Sequence, residues 1–181
     1  MTTNLQHYDE HNKAYGHSIG ASKLKQILWF ICSVLFVRNP LHPFSCVRKW
    51  TLQLFGAKIG EGTIIRSGVQ IKYPWYLSVG DDCWIGEHVW IDNLTQVTIG
   101  NDVCLSQGAY LLTGNHDYKK VNFDLITKPI ILEDGVWIGA NAIVCPGVTA
   151  HSHAVLAVVV AAGVFLSSYF SRSILLLVLL P

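Results

Sequence analysis

Runs of basic residues are missing from this chain of 181 residues: no stretch of consecutive Lys or Arg is longer than two. Charged residues make up only 14% of the sequence, and the formal net charge at pH 7 is +1. Proteins that bind nucleic acids carry clustered basic residues that neutralise phosphates. The sequence therefore predicts no nucleic-acid partner.

Paired cysteines are missing as well. The five cysteines contain no CxxC pair and are widely spaced: Cys32, Cys46, Cys83, Cys104 and Cys145. An odd number of scattered cysteines favours reduced thiols and a cytoplasmic protein. No cleavable signal peptide is visible, because the first residues are polar and no small-residue cleavage site follows them. We therefore expect a cytoplasmic location, with the inner face of a membrane as the alternative.

Aliphatic residues recur every six positions over most of the chain. The repeat comprises thirteen Ile, Leu or Val residues and one Ala: Ile59, Ile65, Ile71, Val79, Ile85, Ile91, Ile99, Leu105, Leu111, Leu132, Ile138, Val144, Ala150 and Leu156. A helix requires apolar residues every three or four positions, and an isolated strand every second position. A period of six predicts a solenoid in which each hexapeptide supplies one short face and one corner, with about eighteen residues per coil.

Other features of the repeat agree with such a coil. Five glycines directly follow an inward aliphatic residue, where a corner needs a positive φ or a close approach of backbones: Gly60, Gly80, Gly86, Gly100 and Gly139. Ile59, Val79 and Ile99 lie twenty residues apart from one to the next. Because a regular coil has about eighteen residues, this spacing predicts a small bulge at one corner. A β-sandwich of short strands is the alternative, but a sandwich has no reason to keep a period of six.

One apolar run, residues 27–37, lies outside the repeat. It is too short to span a bilayer as a helix, and Lys23 and Lys25 precede it while Arg38 follows it. We favour a helix packed on the open end of the solenoid, where it would cover exposed strand edges. The alternative is an interfacial helix that gives peripheral membrane association.

The repeat is interrupted once, by the loop 112–131. Long loops in compact domains are usually functional, and this one opens with a dense set of hydrogen-bonding residues, 113–118. His116 is among them, and an imidazole accepts a proton near neutral pH and releases it afterwards. His116 is therefore the candidate catalytic base, with a solvated loop side chain as the alternative.

Several stretches of the chain resemble one family. The coils, the segment NHDY at 115–118 and the segment ILEDGVWIGA at 131–140 are similar to the hexapeptide-repeat acyltransferases. Three further stretches resemble the colanic acid biosynthesis acetyltransferases of the WcaF type: IKYPW at 71–75, WIDNL at 90–94 and FDLIT at 123–127. The resemblance extends over roughly residues 22–157.

The resemblance implies a left-handed parallel β-helix, assembled as a homotrimer with active sites between subunits. It implies acetyl-CoA as acyl donor, a sugar or lipid-linked saccharide as acceptor, and no metal. His116 matches the family's catalytic base. Four residues match positions that contact the pantetheine arm of CoA: Trp137, Gly139, Ala140 and Ala157. Four others lie in stretches that border the acceptor pocket: Asp92, Asn93, Asn115 and Asp117.

The chemistry of these residues agrees with acetyl transfer. A sugar hydroxyl has too high a pKa to attack a thioester unaided at pH 7, so a base has to remove its proton. His116 Nε2 can do so, and a backbone N–H of an adjacent coil can stabilise the oxyanion. No covalent enzyme intermediate is required, so we expect Cys145 to be a small core or corner residue.

Four aromatic residues directly precede inward aliphatic residues, so we expect them to point outward: Trp84, Trp90, Tyr110 and Trp137. Exposed aromatic stripes usually mark contact surfaces. Subunit packing is the favoured interpretation, and stacking on a sugar or on CoA is the alternative.

Composition divides the chain into four predicted segments. These are a polar segment 1–21, a helical segment 22–56, a β-helix domain 57–157 with the inserted loop 112–131, and an apolar tail 158–181. The tail has Arg172 as its only charge and lacks both the repeat and the family's polar, basic end. Translation in a shifted reading frame after about Val158 is one hypothesis, which the coding DNA tests; a transmembrane anchor is the rival.

Several functions stay open at this point. The leading hypothesis is an acetyl-CoA-dependent O-acetyltransferase that modifies a sugar hydroxyl in the biosynthesis of colanic acid or a similar exopolysaccharide. An acetyltransferase for an antibiotic, maltose, galactoside or serine acceptor is the runner-up. A metal-dependent hydratase would need three converging histidines, and only His116, with His88, is suitably placed. An inactive trimer, in which the atypical tail abolishes CoA binding, is the last alternative.

Overall fold

The structure, a computed structural model, describes residues 19–120 and 123–157. These residues form a helical segment followed by a β-solenoid of about five coils. Most of the predicted polar segment 1–21 and the whole tail 158–181 lie outside the described residues, so the reading-frame and anchor hypotheses stay predictions. The proposed domain boundaries stay predictions too.

The strands form three parallel sheets, one on each face of the coil, and one hairpin. Sheet A contains β1 (Lys58–Ile59), β4 (Leu77–Val79), β7 (Val97–Ile99), β12 (Ile130–Leu132) and β15 (Thr149–Ala150). Sheet B contains β2 (Ile64–Ile65), β5 (Trp84–Ile85), β8 (Cys104–Leu105), β13 (Trp137–Ile138) and β16 (Val155–Leu156). Sheet C contains β3 (Gln70–Ile71), β6 (Trp90–Asp92), β9 (Tyr110–Leu112) and β14 (Ile143–Val144). The hairpin pairs β10 (Gly114–His116) with β11 (Leu125–Thr127).

The six-residue repeat points into the coil, as the spacing predicts. Twelve of its fourteen residues are buried, and Ala150 and Leu156, in the last described coil, are partly buried. In sheet B the repeat residues stack in register, Ile85 on Leu105 and Leu105 on Ile138. Each strand of the three sheets pairs in parallel with a strand one coil away, which excludes the sandwich alternative.

The glycines that follow inward residues serve close packing of backbones. None of the five has a positive φ, whereas a Cβ on Gly80 would lie 2.7 Å from the carbonyl carbon of Gly100. Positive φ angles occur two residues further along the corners, at residues such as Asp82, His88 and Asn141. The corners therefore need glycine for space at one position and a left-handed backbone at another.

The corner between sheets A and B carries a ladder of short polar side chains. Asp81 Oδ1 accepts the Glu61 N–H at 2.7 Å, and Asn101 Oδ1 accepts the Asp81 N–H at 2.9 Å. Asp134 Oδ1 then accepts the Asn101 N–H at 2.7 Å. Each side chain thus satisfies a backbone donor of the preceding coil that the sheets leave unpaired.

The corner between sheets C and A contains the predicted bulge. In the first coil it holds a short 3₁₀ helix, Pro74–Tyr76. The side chain of Asn93, which is fully buried, accepts the Tyr73 N–H at 3.0 Å and donates to the Tyr73 carbonyl at 2.7 Å. The bulge is therefore held by an internal amide and satisfies its own polar groups.

The helical segment consists of α1 (Lys23–Cys32), a π-helical turn (Ser33–Val37) and α2 (Ser45–Leu54). It covers the first coil: α2 packs against β1 and β2, and the π-helical turn packs against β3. The indole N–H of Trp29 donates to the Lys72 carbonyl at 2.9 Å. Among the described residues, none of the helices combines the length and the apolar character needed to cross a bilayer.

Replacing Leu105 with Ala is expected to lower the free energy of unfolding by about 2–5 kcal/mol. Leu105 is fully buried, and the coils above and below it limit how far the cavity can collapse. Urea unfolding measures the loss. The matched control is Ile131→Ala on the outer surface of sheet A, where the side chain is 40% exposed, and its cost should stay below about 1 kcal/mol. Equal losses in both variants would contradict the assigned direction of these side chains.

Candidate active site

The interrupting loop begins and ends as an antiparallel hairpin, which the sequence did not predict. His116 of β10 pairs with Leu125 of β11. Thr113 anchors the base of the hairpin: its hydroxyl donates to the Asp92 carbonyl at 2.9 Å and accepts the Leu94 N–H at 2.8 Å. The hairpin is therefore fixed to the preceding coil at its base.

The imidazole of His116 is oriented by Phe123. Its Nδ1 lies 2.9 Å from the Phe123 carbonyl oxygen, and its ring stacks on the Phe123 ring with centroids 4.4 Å apart and planes 7° apart. A carbonyl oxygen only accepts hydrogen bonds, so we assign the proton of the neutral ring to Nδ1. In that tautomer Nε2 carries the lone pair and is the atom able to accept a proton.

Phe123 is the residue that sequence reasoning missed. Its φ of 53° lies in the left-handed region, which a bulky side chain adopts only when surrounding contacts enforce it. The segment FDLIT was identified by resemblance, but its first residue was given no role. A hairpin prediction for the loop would have pointed to Leu125, which pairs with His116, and not to Phe123, which precedes β11.

The two predicted acceptor residues on the hairpin flank His116. Asn115 is exposed, and its Oδ1 accepts the backbone N–H of His116 at 2.8 Å. Asp117 is partly buried; its N–H donates to the Asp124 carbonyl at 2.8 Å, and its Oδ1 accepts the Lys119 N–H at 3.1 Å. Both side chains therefore also shape the backbone around the imidazole.

Asp92 lies at the anchor point of the hairpin. Its carboxylate forms an ion pair with Lys72 Nζ at 2.8 Å, and the Tyr110 hydroxyl lies 3.5 Å from its other oxygen. Burial and the Asp92 carboxylate raise the pKa of Tyr110, which therefore keeps its proton at neutral pH. Asn93, by contrast, points into the coil, so direct contact of its amide with an acceptor would require its bonds to Tyr73 to break.

A cavity of about 340 Å³ adjoins Asp92. It lies between the helical segment and sheet C, and its lining combines aromatic with charged side chains: Trp29, Phe30, Arg38, Lys72, Trp90 and Asp92. Aromatic faces with a few convergent polar groups suit a sugar, whose rings have both apolar and hydroxyl-bearing surfaces. Asp92 is thus shared between the cavity wall and the anchor of the hairpin.

The four residues predicted to contact CoA lie at a different edge of the coil. Trp137 is 49% exposed on sheet B, and its indole N–H donates to Ser106 Oγ at 2.9 Å. Gly139 and Ala140 form the corner between sheets B and C, and Ala157 occupies the position of Gly139 one coil later. The hairpin leaves from the corner between sheets C and A, so in a single chain sheet C separates His116 from these residues.

The four remaining described histidines lie elsewhere, with His42 in the helical segment and the others on the coil: His88, His151 and His153. His88 is exposed at a corner with a φ of 57°. His151 Nδ1 lies 3.0 Å from Glu133 Oε1, and hydrogen bonds from His151 and then Ser152 lower the pKa of the Glu133 carboxyl. Within residues 19–120 and 123–157, no three His, Cys, Asp or Glu side chains are grouped so as to hold a metal. Cys145 is exposed and follows β14 at a corner.

Comparison with known proteins relates this architecture to enzymes. No family model matches the chain. It is 37% identical over 131 residues to the putative colanic acid biosynthesis acetyltransferase WcaF of Escherichia coli K12, which covers 72% of this chain and 71% of that protein. It is 27% identical over 130 residues to the galactoside O-acetyltransferase of the same organism, covering 68% of this chain and 63% of that protein.

Solved structures share the fold. A hexapeptide-repeat acetyltransferase from Vibrio cholerae superposes with a TM-score of 0.67 at 22% identity, over 75% of this chain and 77% of that chain. A galactoside acetyltransferase in complex with coenzyme A gives a TM-score of 0.64 at 21% identity, over 74% of this chain and 68% of that chain. These likenesses confirm the left-handed parallel β-helix that the resemblance implies. From the identity to WcaF over most of both chains, the chain belongs to the WcaF-type acetyltransferases of the hexapeptide-repeat family.

Proposed function

We propose that the chain is an acetyl-CoA-dependent O-acetyltransferase that modifies a sugar hydroxyl in the biosynthesis of an exopolysaccharide of the colanic acid type. The observation that carries the proposal is the contact of His116 Nδ1 with the Phe123 carbonyl, which makes Nε2 the proton acceptor. The relative named for colanic acid biosynthesis and the galactoside O-acetyltransferase support a saccharide acceptor.

In the proposed mechanism His116 moves one proton twice. Acetyl-CoA supplies a thioester carbonyl that an oxygen nucleophile can attack. His116 Nε2 takes the proton of the sugar hydroxyl as the oxygen attacks, while the Phe123 carbonyl stabilises the imidazolium that forms. The same nitrogen then returns the proton to the leaving sulfur, so His116 ends the cycle neutral. The products are CoA and an O-acetylated sugar.

We further propose that a complete site takes residues from two protomers of a homotrimer. The base and the four proposed CoA contacts lie at opposite edges of sheet C within one chain. A neighbouring protomer that presents its Trp137 side to the hairpin would bring the two groups together. The small residues Gly139, Ala140 and Ala157 leave room there for the narrow pantetheine arm of acetyl-CoA.

The outer surfaces of the three sheets support this assembly. Sheet B carries an apolar stripe of residues paired in register: Ile64, Trp84, Cys104, Trp137 and Val155. Sheet C carries a second, largely apolar stripe, in which the rings of Trp90 and Tyr110 stack 4.6 Å apart: Gln70, Trp90, Tyr110 and Ile143. Sheet A carries mostly polar residues: Lys58, Ser78, Thr98, Ile131 and Thr149. Subunit contacts through sheets B and C, with sheet A facing water, fit this pattern.

For the acceptor, we propose binding beside Asp92. Its carboxylate can accept hydrogen bonds from sugar hydroxyls, and Lys72 and Tyr110 hold it in place. The adjoining cavity offers Trp90 as a face on which a sugar ring can stack. Asn115 and Asp117 complete the acceptor side next to the imidazole, whereas Asn93 supports this region from inside the coil.

Replacing Phe123 with Gly is expected to lower kcat by about tenfold while leaving the KM for acetyl-CoA unchanged. Glycine keeps the left-handed backbone and the carbonyl acceptor but removes the ring that stacks on His116. The imidazole then samples other orientations. Steady-state kinetics with acetyl-CoA as the varied substrate measure both constants. A rise in KM with unchanged kcat would show that Phe123 acts on binding instead.

The proposed function is tested by acetyl-CoA turnover. The full chain is incubated with acetyl-CoA and either mono- and oligosaccharides or amine acceptors, and free-thiol release is recorded. The expected result is thiol release with at least one saccharide, together with an O-acetylated product identified by mass spectrometry. Thiol release with the amine acceptors alone would show that the chain acetylates amines and not sugar hydroxyls. A stable trimer that releases no thiol with any of the acceptors would instead support the inactive alternative.

A further inference from the structure

The helix α1 exposes an apolar face that the solenoid does not cover. The buried stripe that faces the coil is narrow, with Trp29, Ser33 and Val37 spaced four residues apart. The remaining sides of α1 and of the π-helical turn expose large apolar side chains: Leu24, Ile27, Leu28, Phe30, Ile31, Val34, Leu35 and Phe36. A surface helix of a globular protein normally carries polar residues on that side.

This face is a concentration rather than a scatter of exposed apolar residues. Ten of the twenty-two exposed large apolar residues of the described chain fall within residues 24–44. Leu24 is 67% exposed and Phe30 is 64% exposed, values that most of the solenoid's outward residues do not reach. Contiguous apolar surface of this kind marks a contact site. We call residues 24–44 the apolar patch.

The charge around the apolar patch has a single sign. Residues 19–60 contain six basic residues and no acidic residue: Lys23, Lys25, Arg38, Arg48, Lys49 and Lys58. Lys23 and Arg38 are exposed at the two ends of the helical run. The acidic residues of the described chain begin at Glu61 and lie on the solenoid and the hairpin. Arg48 is buried and Lys49 pairs with Glu61, so the exposed charges at the apolar patch are Lys23 and Arg38, both positive.

We infer that the apolar patch docks on the surface of an anionic lipid bilayer, with α1 lying in the plane of the interface. Interfacial helices combine apolar side chains that enter the boundary of the acyl chains with basic residues that bind anionic headgroups. A second copy of this chain is a poorer occupant, because it would bring a second set of positive charges against the first.

Docking in this manner leaves the hairpin accessible and places the cavity beside Asp92 next to the bilayer, because Phe30 and Arg38 belong to both the apolar patch and the cavity wall. The helical segment covers the first coil, whereas the hairpin with His116 projects from the third. A lipid-linked saccharide at the bilayer surface could then reach the side of the coil that carries Asp92. The inference itself rests on the apolar patch and its charges and not on acetyl transfer.

Vesicle flotation of the full chain tests the inference. Vesicles of phosphatidylcholine alone are compared with vesicles that also contain phosphatidylglycerol, at low and high salt. The full chain is expected to float with the anionic vesicles and to do so less at high salt, because salt screens the headgroup contacts. The double variant Leu24→Gln/Ile27→Gln should bind about tenfold more weakly. The variant Lys23→Gln/Arg38→Gln should lose the preference for anionic lipid.

The matched control is Ile131→Gln, which makes the same change at an exposed position on sheet A. It should bind vesicles as the unaltered chain does. Circular dichroism verifies that each variant is folded, and light scattering gives its oligomeric state. Absence of flotation with the full chain overturns the inference. Unchanged flotation of Leu24→Gln/Ile27→Gln also overturns it, because binding would then belong to another segment. A third contrary result is a full chain that does not float while Leu24→Gln/Ile27→Gln changes its oligomeric state, because the apolar patch would then be a contact between copies of the chain.

Discussion

Replacing His116 with Ala is expected to lower kcat/KM for acetyl transfer by about 10²–10⁴-fold, the range that a general base contributes. The variant keeps the anchor at the base of the hairpin, because the Thr113 hydroxyl bonds to Asp92 and Leu94 and not to His116. The loss should appear in kcat, with the KM for acetyl-CoA near its original value. Alanine removes the proton acceptor but leaves the proposed acetyl-CoA contacts in place.

The control for this variant is His88→Asn. His88 is exposed at a corner with a φ of 57°, and asparagine tolerates that backbone conformation better than alanine does. Its kinetics should match those of the unaltered chain. If His116→Ala keeps more than about a tenth of the activity, or if His88→Asn loses as much, His116 is not the base.

The six-residue spacing predicted the columns of the solenoid because buried side chains must stack from one coil to the next. Ile59, Val79, Ile99 and Leu132 pair in register on sheet A even though the interrupting loop separates the last two. The excess over eighteen residues in the first coils predicted the bulge, which is the corner held by Asn93. Spacing fixes register wherever a side chain has a single core to enter.

A second inward column escaped the sequence reasoning. In the first four coils the residue two positions before each repeat residue is also buried, and Val69, Val89, Ala109 and Ala142 are fully buried. Faces this short alternate inward and outward like any strand. Of the twelve residues in this column only Thr63 is polar, so alternation with the six-residue repeat would have revealed it.

The geometry around His116 could not be read from spacing either. The hairpin depends on antiparallel pairing of Gly114–His116 with Leu125–Thr127, two segments with no shared hydrophobic period. The left-handed backbone at Phe123 is unusual for an aromatic residue and results from tertiary contacts, which override local preference. The sequence therefore identified the imidazole but not the group that orients it.

Two inactive variants are expected to restore each other's activity when they assemble into one trimer. His116→Ala removes the base from the hairpin, and Ala140→Trp fills the corner where we propose that acetyl-CoA binds. A homotrimer of either variant carries its lesion in all three sites. If each site takes His116 from one protomer and Ala140 from the next, a mixed trimer of either composition contains one site with both residues intact.

Co-expression with two different affinity tags, followed by purification on both, isolates the mixed trimers. They should show about one third of the activity of the unaltered trimer, because one of three sites is complete. Trimers that combine two differently tagged copies of His116→Ala should stay inactive. Ala140 lies where two protomers are proposed to meet, so light scattering has to verify that Ala140→Trp still assembles as a trimer.

If the mixed trimers are as inactive as the homotrimers of each variant, then the base and the acetyl-CoA contact at Ala140 act within the same chain. The separation of His116 from Ala140 by sheet C would then have to be bridged within one protomer, by a movement of the hairpin across that sheet. Recovered activity has no such explanation, because every polypeptide in the mixture lacks one of the two residues. Only contact between protomers can then unite the Nε2 atom with the thioester.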